Sequence, residues 1–63
     1  MSVGENIKRL REGKKWTQQE LADKVGVSRP MIAQIERGTK SVSLIFGAEL
    51  AGVFECTVDE LLK

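Results

Sequence analysis

The chain has 63 residues, 41% of them hydrophobic and 30% charged, with one cysteine and no histidine. This length predicts a single domain over residues 1–63 with one small core, and one cysteine excludes an internal disulfide. Without histidine the chain lacks the base of a serine triad, and with a single cysteine it also lacks the several Cys or His ligands of a zinc site. We therefore expect no catalytic site, no metal and no cofactor.

No apolar run approaches the ~20 residues that cross a bilayer, and no signal peptide is visible. We expect a cytoplasmic protein without a membrane partner. The lone Cys56 agrees with a reducing interior, and it is interpreted as a small core side chain.

Charge is unevenly distributed along the chain, although the net charge is only +1. Residues 1–40 hold nine Lys/Arg and five Asp/Glu, whereas residues 41–63 hold one lysine and four Asp/Glu. A basic first part and an acidic second part suit a protein with one side facing DNA. The alternative is an ordinary mixed surface.

Residues 3–13 are predicted to form the first helix, which ends at Gly13 or at the two lysines that follow. Its apolar residues recur at the spacing of one helix face: Val3, Ile7 and Leu10. Trp16 comes next and is predicted to pack in the core against Leu21, as a hydrophobic staple, rather than to stack on a base.

The stretch of residues 17–38 reads TQQELADKVGVSRPMIAQIERG and predicts two short helices joined by a tight turn. Thr17 and Glu20 form a capping box at the first helix, and Gly26 ends it. Ser28 caps the second helix. Pro30 lies in its first turn, where a missing N–H is harmless, and Gly38 ends the helix.

Apolar residues in both of these helices recur at helical spacing: Leu21, Ala22, Val25, Met31, Ile32 and Ile35. Two short helices around a glycine-containing turn predict a helix-turn-helix, whose second helix can enter a DNA major groove. The polar outer face of that second helix favours this interpretation over a simple packed hairpin.

A loop is predicted over residues 38–43, and Ser43 caps a fourth helix over about residues 44–54. The core-facing side of this helix is predicted to comprise four residues, with Leu50 nearby: Leu44, Ala48, Ala51 and Phe54.

A last short helix is predicted over residues 58–63, behind a capping box of Thr57 and Glu60. The chain is therefore expected to be all-α, a compact five-helix bundle that contains the helix-turn-helix.

The segments TQQELA, GVS and IAQIERG, then SL at 43–44 and TVDELL at 57–62, resemble the phage repressor/Cro-like (XRE) transcription regulators. The likeness runs from about Val3 to Leu62 and implies a lambda-repressor-like DNA-binding domain. Gly47 stands where relatives usually have a large apolar residue, and Glu55 stands where they usually have the glycine that ends the helix. The resemblance also implies an ion pair that joins the first helix to the end of the third, formed by Arg11 and Glu36.

Four residues match the groove-facing positions of relatives: Arg29, Pro30, Ala33 and Gln34. Arg29 can donate two hydrogen bonds to guanine, and Gln34 can pair with adenine. Pro30 and Ala33 offer only apolar contact to a thymine methyl group. The alternative role for Arg29 is a phosphate contact.

The candidates for contact with the DNA backbone are Gln18, Gln19, Ser28, Arg37, Thr39, Lys40 and Ser41. The two glutamines lie in the first turn of a helix, where free N–H groups favour a phosphate. The resemblance implies that Gln18 also braces the recognition helix. Arg37, like Lys14, has the alternative of being a solvated surface charge.

One such domain offers few base contacts, so we expect a homodimer on two half-sites about one helical turn, ~34 Å, apart. Ile45, Phe46 and Val58 are the candidate dimer interface, since large apolar side chains side by side on a small domain suggest a contact surface. The alternative is that Phe46 folds back over Gly47.

The predicted function is a sequence-specific transcription regulator on double-stranded DNA with a roughly palindromic operator. The rival is a protein-interaction or antitoxin-like module on the same scaffold, with DNA contact secondary.

Overall fold

The computed structural model describes residues 2–62, which form five helices and no strand. The helices are α1 (Val3–Gly13), α2 (Gln18–Val25), α3 (Arg29–Arg37), α4 (Leu44–Phe54) and α5 (Val58–Leu62). The all-α prediction is confirmed, while Lys63, the predicted last residue of the final helix, lies outside the described residues. Within residues 2–62 no helix is long and apolar enough to cross a membrane.

Hydroxyl side chains begin all five helices, because each accepts a hydrogen bond from a free backbone N–H of the first turn. These capping residues are Ser2, Thr17, Ser28, Ser43 and Thr57. The predicted capping boxes of α2 and α5 are present, and α1 has a further one that the sequence patterns did not suggest. In that box the Ser2 N–H donates to Glu5, which holds the pKa of the Glu5 carboxyl below its usual value.

Left-handed residues end α2, α3 and α4. Gly26 and Gly38 have φ of 74° and 85°, a conformation that glycine adopts without steric strain. Glu55 takes the same role after α4 with φ of 58°, and the Cys56 N–H then donates to the Ala51 carbonyl at 2.9 Å. Helix α4 therefore stops as a glycine-capped helix would, although the residue there is glutamate.

The core is formed by apolar side chains from all five helices: Ile7, Leu21, Ala22, Ile32, Ile35, Leu50, Ala51, Phe54 and Leu61. Helix α3 packs against both α1 and α2. Gly4 makes the first of these contacts possible, since a Cβ there would collide with the Ile35 carbonyl oxygen. Asn6 is also buried, and its Nδ2 donates to the Leu61 carbonyl at 3.0 Å, which ties α1 to α5.

The buried face of α4 differs from the prediction. It comprises Gly47, Leu50, Ala51 and Phe54, whereas Leu44 and Ala48 are exposed, so the prediction for these two residues was wrong. Helix α4 reads LIFGAELAGVF and is apolar almost all round, so its sequence contains no single stripe that identifies the buried side.

The dimer prediction required Phe46 to project freely from α4, and it does not. It is half-buried and packs against the core beside α4's buried stripe, as does Val42. Apart from its chain neighbours Phe46 and Ala48, the side-chain atom nearest to the position of a Gly47 Cβ is Val42 Cγ1, at 3.7 Å. Phe46 is therefore packed inward, while its placement over Gly47 stays a prediction.

Candidate nucleic-acid interface

Helix α3 has one buried face and one exposed face. Ile32 and Ile35 are fully buried against the core, and the same periodicity leaves Arg29, Gln34 and Arg37 exposed. The Ser28 cap and Pro30 in the first turn start the helix, and Gly38 ends it after nine residues. Two predicted base readers, Arg29 and Gln34, therefore lie on the accessible side of the helix.

The single acidic residue of α3 is withdrawn from that exposed face. The side chain of Glu36 is only 4% exposed, and its carboxylate accepts hydrogen bonds from Arg11 Nε at 2.7 Å and Nη2 at 3.1 Å. These bonds raise the pKa of Arg11 above its ordinary value. The expected Arg11–Glu36 ion pair is thus present, and the outward side of α3 carries cationic and amide groups without a carboxylate.

A chain of hydrogen bonds connects this ion pair to the start of α3. Gln18 Nε2 donates to Glu36 Oε1 at 3.1 Å, and Arg29 Nη1 donates to Gln18 Oε1 at 3.1 Å. At the other end, Arg11 Nη1 donates to the Trp16 carbonyl at 2.7 Å. Gln18 thus braces the recognition helix through Arg29. The sequence did not indicate this particular bond, since its two residues come from different helices.

The two apolar groove candidates differ in accessibility. Pro30 is exposed, whereas Ala33 is half-buried. Neither side chain has a donor, so each can offer only its apolar surface to a base.

The residues predicted to contact the DNA backbone fall into two groups, according to whether their side chains already make hydrogen bonds within the protein. Lys40, Ser41 and Arg37 are exposed. The others already make hydrogen bonds within the protein. Gln19 donates to Asp23 at 2.9 Å, and the Ser28 hydroxyl accepts from the Met31 N–H at 3.4 Å.

Thr39 is the prediction most altered by the structure. Its hydroxyl donates to the Gln34 carbonyl at 3.1 Å, and its N–H donates to the same oxygen at 3.0 Å. A phosphate can only accept, so Thr39 would have to give up a bond at the end of α3 to contact one. This leaves Lys40 and Ser41 as the stronger candidates in this loop.

Trp16 packs against the core, as predicted, while its staple contact with Leu21 stays a prediction. Its ring is half-buried, stacks on Phe54 with ring centroids 5.8 Å apart, and carries the Lys24 ammonium 4.6 Å from its centroid. Cys56 is also half-buried against the core. This burial is the main cause that raises the pKa of its thiol, and the negative charge of Glu60 is a second, smaller cause. Within residues 2–62 no cluster of three or more His, Cys, Asp or Glu side chains could hold a metal ion.

The candidate dimer surface lies at the start of α4. Ile45 is 77% exposed and Leu44 is 75% exposed, while Val58 at the start of α5 is half-buried. The sequence had assigned Leu44 to the core. In the structure, the exposed apolar pair is Leu44 and Ile45 rather than Ile45 and Phe46.

Comparison with known proteins supports this geometry. The family model HTH_3, described as Helix-turn-helix, matches residues 7–61. The chain is 36% identical over 59 residues to the uncharacterized HTH-type transcriptional regulator YqaE of Bacillus subtilis (strain 168), covering 94% of this chain and 51% of that protein.

Solved structures of similar proteins include two determined with DNA. The P22 c2 repressor in complex with the synthetic operator 9T is 33% identical, with a TM-score of 0.92, covering 100% of this chain and 96% of that chain. The biofilm master regulator SinR in complex with DNA is 32% identical, with a TM-score of 0.89, covering 97% of this chain and 98% of that chain. The chain spans about half the length of the curated relatives it matches, between 43% and 56%.

Proposed function

The chain belongs to the helix-turn-helix family HTH_3, and from that premise we propose that it is a sequence-specific transcription regulator that binds double-stranded DNA. One observation supports the proposal best. Helix α3 exposes Arg29, Gln34 and Arg37, while its one carboxylate, Glu36, is paired with Arg11. A helix that enters the major groove approaches two rows of phosphates, so an exposed carboxylate there would oppose binding.

Two kinds of contact follow from this arrangement. Arg29 and Gln34 have side chains that can donate to base edges, and we assign them the reading of the operator sequence. Lys40, in the loop after α3, and Gln18, at the start of α2, are assigned to the phosphate backbone. The protein would need no metal or cofactor for binding, and its role would not be catalytic.

We further propose that two copies act together on a roughly palindromic operator. A single α3 offers few base contacts, and two copies double both the contacts and the free energy that distinguishes the operator from other sequences. The exposed Leu44 and Ile45 are the apolar surface that supports such a contact. The contact would be isologous, with each patch meeting its own copy. The proposal includes a cytoplasmic location, because the protein must reach the operator DNA that it binds.

The exposed Leu44 and Ile45 also support the rival function, a protein-interaction or antitoxin-like module. In that case the apolar surface would bind a different protein, and DNA contact would be secondary. The two functions differ in what happens with DNA alone, because only a regulator reads a sequence without a second protein.

Selection of bound sequences from a random pool of double-stranded DNA tests the proposal. We expect enrichment of one motif with two inverted half-sites whose centres lie about one helical turn apart. Enrichment of no motif, with binding that follows only DNA length, would favour the interaction module. The motif would also identify the base pairs at which variants of Arg29 and Gln34 can be tested.

A further inference from the structure

The amide of Gln18 lies between a group that can only accept hydrogen bonds and a group that can only donate them. Glu36, as a carboxylate, only accepts, and the guanidinium of Arg29 only donates. The distances are 3.1 Å from Gln18 Nε2 to Glu36 Oε1 and 3.1 Å from Arg29 Nη1 to Gln18 Oε1. Only one orientation of the amide satisfies both neighbours, with its NH₂ toward Glu36 and its oxygen toward Arg29.

Glu36 is the rigid end of this arrangement. Its side chain is 4% exposed, and Arg11, itself 10% exposed, holds it with two hydrogen bonds. A buried side chain with that many bonds has little freedom to turn. In contrast, Arg29 is exposed, and its side chain makes one hydrogen bond within residues 2–62, the bond to Gln18. The position of the Arg29 fork therefore depends on the Gln18 amide, and the amide depends on Glu36.

From this geometry we propose that Glu36 is a positioning residue for base recognition. It touches no base itself; it orients the Gln18 amide, which in turn holds one N–H of Arg29 and leaves the other donors of the fork for the base. Holding the fork in advance lowers the ordering entropy that Arg29 loses on binding, and it disfavours poses that suit other bases. The inference rests on the proposed function and assigns part of the sequence discrimination to a residue on the buried side of α3.

The substitution Glu36→Gln separates orientation from simple occupancy. A glutamine at this position has both a donor and an acceptor, so the Gln18 amide is satisfied in either orientation. In the reversed orientation the Gln18 NH₂ faces Arg29, where two donors meet, and Arg29 is released. We expect Glu36→Gln to relax discrimination at the base pair that Arg29 reads, while contacts made by Gln34 are retained.

The measurement is the dissociation constant on a substituted operator divided by the dissociation constant on the selected operator. One operator carries the selected base pair at the position that Arg29→Ala identifies, and the other carries a substitution there. Both are titrated with the same protein sample, so a partly unfolded sample affects both constants equally and its effect cancels in the ratio. We expect Glu36→Gln to lower this ratio roughly three- to tenfold. Gln18→Ala should lower it similarly, and the double variant no further.

Asn6→Ala is the matched control. It removes a buried hydrogen bond to the Leu61 carbonyl and a bond from Arg9, and so destabilises the fold through contacts separate from the bonds of the Gln18 amide. Its ratio should equal that of the wild type. An equal loss in Asn6→Ala and Glu36→Gln would overturn the inference, because the effect would then follow general destabilisation.

A wild-type ratio in Glu36→Gln would also overturn the inference while leaving the proposed function intact. If the wild-type protein itself binds all operators alike, both the function and the inference fail. A second measurement needs no DNA: ¹⁵N relaxation of the Arg29 Nε–H group. The inference requires that group to be more mobile in Glu36→Gln than in the wild type and in Asn6→Ala, and equal mobility in all three contradicts it.

Discussion

Arg11 and Glu36, 25 residues apart in the chain, form a paired contact in which Nε and Nη2 of the guanidinium donate to the two oxygens of one carboxylate. The contact joins α1 to the last turn of α3. Because Arg11 also donates to the Trp16 carbonyl, the same side chain supports the segment that leads into α2. The position of the recognition helix therefore depends on α1.

Removal of one partner of this pair should destabilise the fold strongly. We expect Arg11→Met to lower the free energy of unfolding by about 3 kcal/mol, since it leaves the Glu36 carboxylate buried without its cation. The double variant Arg11→Met/Glu36→Leu should recover much of the loss, because no buried charge remains. Urea unfolding followed by circular dichroism measures both. A loss below ~1 kcal/mol in the single variant would indicate a pair that water screens as it does on a surface.

Gln34→Ala should change base preference without changing stability. The Gln34 side chain is exposed, and the hydrogen bonds that end α3 use its backbone carbonyl, which alanine retains. We expect a loss of ~1–3 kcal/mol on the selected operator and a relaxed preference at one or two positions. Selection from a random DNA pool with this variant and with Arg29→Ala shows which base pair each side chain reads. Identical motifs from both variants and the wild type would remove these residues from the base-reading role.

Lys40→Ala should weaken binding about equally on all sequences. As a phosphate contact, its loss should flatten the dependence of log K on log salt by ~1 unit of slope. Gln18→Ala is the uncharged comparison for the salt slope: it should weaken binding with little change in slope, although it also lowers discrimination at the base pair that Arg29 reads. Titrations at several salt concentrations distinguish the two. A Lys40→Ala variant that loses affinity only for the selected operator would be a base reader instead.

Glu55→Gly should stabilise the fold by about 1 kcal/mol, because a residue with a Cβ is strained at φ of 58° and glycine is not. The substitution also removes the exposed contact of Glu55 with Lys14, at 3.4 Å, which contributes little. Glu55→Ala removes the same contact but keeps the strain, so it should show no gain. Thermal unfolding of the three proteins measures the difference, and equal gains in both variants would assign the effect to the lost charge.

Ile45→Lys should yield a folded monomer if the exposed apolar surface of α4 is the dimer contact. The side chain is 77% exposed, so a lysine there should not disturb the core. Phe46→Lys is the contrasting variant: Phe46 packs against the core, so we expect it to lose stability. Sedimentation gives the oligomeric state and circular dichroism the folded fraction. An Ile45→Lys protein that remains a dimer would exclude this surface.

The helix boundaries could be predicted closely from the sequence, because their signals are local. Each capping hydroxyl accepts a hydrogen bond from an N–H only three residues away. The start of a helix can therefore be predicted from a pair such as Thr17 with Glu20 or Thr57 with Glu60. The outward placement of Arg29 and Gln34 followed from the apolar periodicity of α3, which has two clear faces. These features are set by neighbours in the chain and need no knowledge of the other helices.

Tertiary packing decided what neighbouring residues could not. In α4, nearly every side is apolar, so only packing against the other helices determined that Gly47 and Leu50 are buried while Leu44 is exposed. The Gln18 bonds to Glu36 and Arg29 join residues 18 and 11 positions apart, and their geometry exists only once α2 and α3 have packed. Sequence alone determined the helices and the recognition face, whereas the packed fold determined which side chains orient that face, because hydrogen-bond geometry between helices depends on their relative placement.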